Sequence, residues 1–174
     1  TAINATTVEV SFDEAIANID KADFTIDGLT VENAVAKQGD AKTVVLTTSA
    51  QEGGKTYTVQ YNGAVVGTFS GISSVLPTAI TLDTKSVQGV VGKDVTLKAT
   101  VTVAEGQSKA GIPVTFNVDA ANNNLNKDFV VEALTDADGV ATYTYTQYAG
   151  YEDVVTSYPT GNASLRETGK VYWG

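Results

Sequence analysis

Apolar and polar residues alternate with period two along most of this chain. Val8, Val10 and Phe12 alternate with Thr7, Glu9 and Ser11, and Tyr57, Val59 and Tyr61 with Thr56, Thr58 and Gln60. Further on, Val95, Leu97, Ala99, Val101 and Val103 alternate with Thr96, Lys98, Thr100 and Thr102, and Ala141, Tyr143 and Tyr145 with Thr142, Thr144 and Thr146. Successive side chains of a strand point to opposite faces, so each run predicts a strand with one buried and one solvated face. Thr, Val and Tyr, the residues that fit a pleated half-buried surface, dominate these runs.

Turn chemistry separates the predicted strands. Asn62-Gly63, between Tyr57–Tyr61 and Ala64–Phe69, suits a type I′ hairpin, which needs positive φ at both central residues. Gly39-Asp40, Gly53-Gly54, Gly92-Lys93 and Asp138-Gly139 mark other corners. Helical spacing is confined to Asp13–Asp23, enough for a turn or so, and the Asn-rich Ala120–Asn126 reads as a loop. Around Gly71–Thr78 small residues and Pro77 interrupt the pattern before new strands start at Ala79. These observations predict an all-β chain of two tandem β-sandwich domains, residues 1–73 and 74–174, with about seven short strands in each. The two halves are not copies of one another.

Composition narrows the chemistry. The chain has 174 residues, 43% hydrophobic and 18% charged, with no Cys, His or Met. Without His and Cys the Ser–His and Cys–His routes to a nucleophile are closed; a Ser–Lys dyad or a carboxylate pair of glycosidase type stays formally open, but no Ser sits in a nucleophile-elbow context and the acids are scattered among turns, so no catalytic function is expected. With no Met at its start, the chain is expected to be processed or excised from a longer protein. No apolar stretch approaches the roughly 20 residues of a membrane span, so direct membrane insertion is not expected. The net charge is −9, with nine acids against four bases before Pro77 and eleven against seven after it. A surface acidic in both halves repels phosphate backbones, which disfavours nucleic acid and leaves divalent cations or a basic partner as counter-charge.

Four carboxylates are candidate metal ligands. Asp136 and Asp138, two apart and followed by Gly139, form a fragment of what an oxygen-ligand calcium loop requires, without the later bidentate Glu of an EF-hand. The competing reading is a corner in which Asp136 bonds local backbone N–H groups and Gly139 takes positive φ. Asp13 and Glu14, with Asp20 and Asp23 on the same irregular segment, either bind an ion or form a solvated, helix-capping stretch. Asp83 and Glu152-Asp153 add ligands only if loops converge. Among the aromatics, Tyr143 and Tyr145 share a face with Ala141 and belong in the core, whereas Tyr148 and Tyr151, near Gly150, are the candidates for exposure, as a glycan platform or a contact surface. Lys98 lies on the polar face of its strand, which argues against a buried isopeptide staple.

Three segments of the second half carry a resemblance. Gly111-Ile112-Pro113-Val114-Thr115-Phe116, Thr135-Asp136-Ala137-Asp138-Gly139-Val140-Ala141 and, upstream, Val91-Gly92-Lys93-Asp94-Val95-Thr96-Leu97 resemble, in order, segments of the bacterial immunoglobulin-like domains of invasin/intimin type. The first half, through Ala2–Asp13 and Tyr57-Thr58-Val59, is similar to the short Ig-like modules of surface-layer (S-layer) proteins of Bacillus-type Gram-positive bacteria. That resemblance implies a secreted, cell-surface structural component whose partners are other copies of itself in a lattice. It also implies calcium as a promoter of assembly, and a parent protein anchored by cell-wall-binding SLH domains that this chain does not include. An adhesin or stalk spacer, or an accessory carbohydrate-binding module, is the alternative use of such domains.

Overall fold

The computed structural model describes residues 1–83, 85–121 and 125–174, so three residues of the predicted 120–126 loop lie outside the described residues. The chain divides into two compact units, Thr1–Ser74 and Val75–Gly174, each with its own hydrophobic cluster. Among the described residues the only helical element is a 3-10 turn, Lys21–Asp23, capped by Asp20, whose Oδ1 accepts from Ala22 N–H at 2.9 Å.

The first unit contains β1 (Ala2–Asn4), β2 (Thr7–Ser11), β3 (Phe24–Ile26), β4 (Val31–Lys37), β5 (Asp40–Thr48), β6 (Thr56–Tyr61) and β7 (Ala64–Ser70). They form two sheets, β1-β2-β5-β4 and β3-β6-β7. Lettered in chain order from A to G, these are A-B-E-D and C-F-G, the strand order of an immunoglobulin constant-type sandwich. The inward residues of the runs meet between the sheets: Val8, Val10, Val44 and Leu46 from one, Phe24, Tyr57, Val59 and Phe69 from the other. Asn62 and Gly63 close the β6–β7 hairpin at φ 50° and 83°, as type I′ geometry requires.

Tyr57, near the start of the sixth strand, reaches back so that its hydroxyl accepts the Glu52 backbone N–H at 2.9 Å, a tyrosine corner. Its buried ring stacks on Phe69 with centroids 5.3 Å apart. Gly71 passes beside this corner, its N–H donating to Lys55 O at 2.8 Å and its carbonyl accepting from Gly54 N–H at 2.9 Å. The packed unit therefore continues past β7 through buried Ile72, whose N–H is bonded to Gln51 Oε1 at 3.0 Å.

The second unit contains β8 (Ala79–Leu82), β9 (Ser86–Gly89), β10 (Val95–Thr102), β11 (Pro113–Ala120), β12 (Phe129–Leu134), β13 (Val140–Tyr145), β14 (Tyr151–Pro159) and β15 (Glu167–Trp173). Its sheets are β8-β10-β13 and β12-β11-β14-β15-β9. The opening strand is split: β8 runs antiparallel to β10 in one sheet, then β9 crosses over and pairs parallel to β15 in the other, an arrangement the alternation alone did not predict. The rest keeps immunoglobulin-like order, and the chain is an all-β protein of Ig-like sandwiches. Val95, Leu97, Ala99 and Val101 of β10 face Val114, Phe116 and Val118 of β11, the last three wholly buried. Each large apolar side chain so enclosed contributes about 1.5–3 kcal/mol.

Candidate functional site

Along β14 the residues of one parity, Asp153, Val155, Ser157 and Pro159, turn inward. Alternation therefore carries a carboxylate into the core, and Asp153 is 0% exposed. Three donors converge on its Oδ2: the Tyr145 hydroxyl at the end of β13 (2.8 Å), the Trp173 indole N–H at the end of β15 (2.9 Å) and the Gln147 amide (3.3 Å). Tyr145 comes from the three-stranded sheet, and Asp153 and Trp173 from the five-stranded one, so the cluster ties the two faces of the sandwich together. Tyr145 and Trp173 also meet edge-on, with centroids 5.6 Å apart.

All three donors are neutral. The second oxygen, Oδ1, is buried with no hydrogen-bond partner among the described residues. Burial in the first place, and the Asp153 carboxylate in the second, push the Tyr145 phenol far above its ordinary range and keep it a donor. A raised folded-state value means that the folded protein holds this proton more tightly than the unfolded chain. The resulting stability is complete below the unfolded value near 10 and is lost as pH rises above it. Alkaline titration followed by Trp173 fluorescence should therefore show unit 2 losing stability above about pH 10, and Tyr145→Phe should flatten that part of the curve.

Around the carboxylate, side-chain amides pin two loops. Gln147 donates to Lys127 O (3.0 Å) and accepts from Lys127 N–H (3.3 Å), while Asn126 donates to Ala149 O (2.8 Å) and accepts from Ala149 N–H (3.0 Å). Tyr148 stands on the loop so fixed, 76% exposed. Tyr151 is 61% exposed and holds φ at 127°, a conformation rare for a residue with a side chain. The predicted division of the tyrosines is therefore observed, with Tyr145 in the core and Tyr143 packed against it.

The four carboxylates singled out as metal ligands lie in different units, Asp13 and Glu14 in the first and Asp136 and Asp138 in the second. Asp136 Oδ1 accepts the N–H groups of Asp138 (2.9 Å) and Val140 (3.0 Å), and Gly139 takes φ 81°. This is the backbone-bonded corner. Asp13, Glu14 and Asp138 are exposed. Among the described residues no three His, Cys, Asp or Glu side chains gather to hold a cation, and a calcium ion wants six to eight oxygens. Of the further candidates, Glu152 pairs with Lys170 at 3.3 Å and Asp83 lies 3.4 Å from the Thr100 hydroxyl.

A cleft of about 320 Å³ opens where β8 gives way to β9, over Leu82, Leu97, Val155 and Val171. Its rim carries the same Asp83 and Lys170, already partnered as above, together with exposed Lys98. No helix among the described residues is long and apolar enough to cross a membrane.

No family model and no curated protein sequence matches this chain. Solved structures share its architecture at low identity. Domains 4 and 5 of the S-layer protein SbsC are 14% identical, covering 91% of this chain and 81% of that one at a TM-score of 0.40. The D00-D0 domain of intimin is 18% identical over 98% and 93% of the two chains, TM-score 0.41. The adhesin InvE of Yersinia pseudotuberculosis is 16% identical over 99% and 56%, TM-score 0.40. At this level the fold assignment rests on the strand order of this chain and not on its neighbours.

Proposed function

We propose that this chain is an architectural, non-enzymatic segment of a bacterial S-layer protein, displayed outside the cell, whose sandwiches join copy to copy in a two-dimensional lattice. The observation that carries this reading is Asp153. The deepest charged group in the second unit is wholly buried and engaged in tying strands together, where a catalytic carboxylate would face a substrate. An array exposed to proteases needs rigid units, and in a chain without Cys core packing and polar ties must supply the rigidity. The sequence segments that resemble Ig-like surface modules support the same reading: Pro113–Phe116 opens β11, and Thr135–Ala141 turns the corner into β13.

Calcium enters as a counter-charge between copies of a −9 chain rather than as a resident ion. Self-association, measured by sedimentation, should strengthen several-fold in millimolar calcium and reverse in chelator, while the melting temperature of the dilute chain stays the same. A chain that remains monomeric in every buffer would defeat the assembly reading, and a chelator-dependent melting temperature would defeat the counter-charge role. The exposed Tyr148 and Tyr151 favour one second reading, a glycan-binding accessory or adhesive module. That reading requires a glycan affinity abolished by Tyr148→Ala or Tyr151→Ala.

A further inference from the structure

Sheet edges are sites of unwanted pairing, and proteins normally shorten, bulge or charge them. Most edges of this chain follow that rule. β1 and β3 are three residues long, and β8 and β9 four. β4 pairs with β5 through irregularities at both ends, and the β6–β7 pairing carries a bulge at Val59/Gln60. β13 is regular but presents Thr142 and Thr144 outward.

β12 differs from all of these. It runs through six consecutive pairs with β11 without a break, and among the described residues nothing pairs with its other side. Its outward residues are Val130, 61% exposed, Glu132, and Leu134, 39% exposed. Two bonds fix which backbone groups are free. Thr135 N–H, one residue beyond the strand, donates to Ile112 O at 3.0 Å, and Pro113 O, opposite Leu134, accepts Thr160 N–H from the far side at 3.0 Å. Bonding in an antiparallel ladder alternates residue by residue. Phe129, Val131 and Ala133 therefore face β11, and Val130, Glu132 and Leu134 turn their N–H and C=O groups to the open side.

We infer that β12 is the site at which a second copy of this chain docks, its own β12 pairing antiparallel about a two-fold axis at Glu132 to make one continuous sheet. The inference rests on the assembly reading above and names the surface for it. Only this register matches every free group: Val130 exchanges hydrogen bonds with Leu134 of the second copy, Glu132 with its own counterpart, and Leu134 with Val130, about six bonds in all. It sets Val130 against Leu134 at both ends of the outer face and Val131 beside Ala133 on the inner one. A slip of one residue would turn apolar side chains to the wrong face, and a slip of two would lose bonds. β12 is also the one described edge with the length, regularity and outward apolar residues to match itself. The two Glu132 carboxylates meet across the axis, and like charges directly opposite weaken a strand pair. That repulsion keeps the edge from pairing indiscriminately and makes it the place where neutralisation favours assembly.

The chain contains no Cys, so Glu132→Cys places a single thiol on the proposed axis. Opposed Cα atoms in a bonded antiparallel pair lie about 5.5 Å apart, within the roughly 4.4–6.8 Å that a disulfide spans. Under mild oxidation this variant should form a disulfide dimer at least about tenfold faster than Thr142→Cys on β13, with circular dichroism confirming that both are folded. Glu132→Gln should tighten reversible association up to about fivefold in sedimentation equilibrium, and Val130→Lys with Leu134→Lys should abolish it. Equal crosslinking rates, or undiminished association of the double lysine variant, would overturn the β12 interface while leaving assembly through another surface standing. A parent chain that never associates would remove both.

Discussion

Asp153→Ala should cost unit 2 about 3 kcal/mol, because it leaves the Tyr145 hydroxyl, the Trp173 N–H and one Gln147 N–H buried without an acceptor, at about 1–3 kcal/mol each. Two effects oppose the loss. The variant removes a desolvated carboxylate whose Oδ1 has no partner among the described residues, and water entering the vacated space satisfies some donors. Three orphaned donors outweigh these, since a carboxylate accepting several hydrogen bonds has already recovered much of its desolvation cost. For a domain of about a hundred residues the expected fall in melting temperature is about 12–20 °C. Trp173, the only Trp in the chain, lies in this unit and reports its transition directly, with emission shifted to the red as water reaches the indole. Asp153→Asn, which keeps one acceptor but puts a donor in the partnerless position, should lose about half as much. If Asp153→Ala melts with the parent, the polar tie between the sheets contributes nothing and the structural role assigned to it fails.

Most of the fold could be read from the chain because period-two alternation reports a local fact, which face of a strand is buried. The inward residues of β2, β6, β10 and β13 were visible in this way, as was the Asn62-Gly63 turn, whose two positive φ values only a few residue types tolerate. Topology was less visible. That β9 leaves the partner sheet of β8 and pairs parallel to β15 depends on contacts between residues far apart in sequence, and Ser86–Gly89 is too short to show a pattern of its own. The segment at Gly71 reads as a linker by composition, since small residues mark both flexible joints and places where backbone passes close to a neighbour. Only the position of Glu52 and Tyr57 shows that Gly71 is of the second kind.

For the candidate site the failure was one of emphasis. The sequence offers Asp153, with Glu152, as a ligand only if loops converge, yet its parity with Val155 and Pro159 places it inward. A charged residue in phase with an apolar face is the stronger signal, because an isolated carboxylate is too costly to bury without donors, so its partners must exist somewhere in the fold. The spacing Asp136-x-Asp138-Gly139 was read as either ligand loop or corner, and the two N–H groups on Asp136 Oδ1 show the corner formed. Repetition of carboxylates in a turn is weak evidence for a cation, because backbone N–H groups a few residues away compete for the same oxygens.

Gly71→Ala should destabilise unit 1 by about 3 kcal/mol, the upper end of the usual cost of overpacking. A Cβ built at Gly71 overlaps the Glu52 carbonyl oxygen and lies 2.9 Å from the Tyr57 ring. The ring is a side chain and can tilt, but Glu52 O is backbone, and Glu52 N–H is the donor to Tyr57 Oη, so moving one breaks the other. The two bonds that hold Gly71 itself, to Lys55 O and from Gly54 N–H, then stretch together. By comparison, Tyr57→Phe removes only the acceptor of one backbone N–H and should cost about 1 kcal/mol. Native-state hydrogen exchange distinguishes the two outcomes. In Gly71→Ala protection should fall at the amides of Tyr57, Val59 and Phe69, the inward residues of β6 and β7, whereas a glycine in a free linker would leave those amides unchanged.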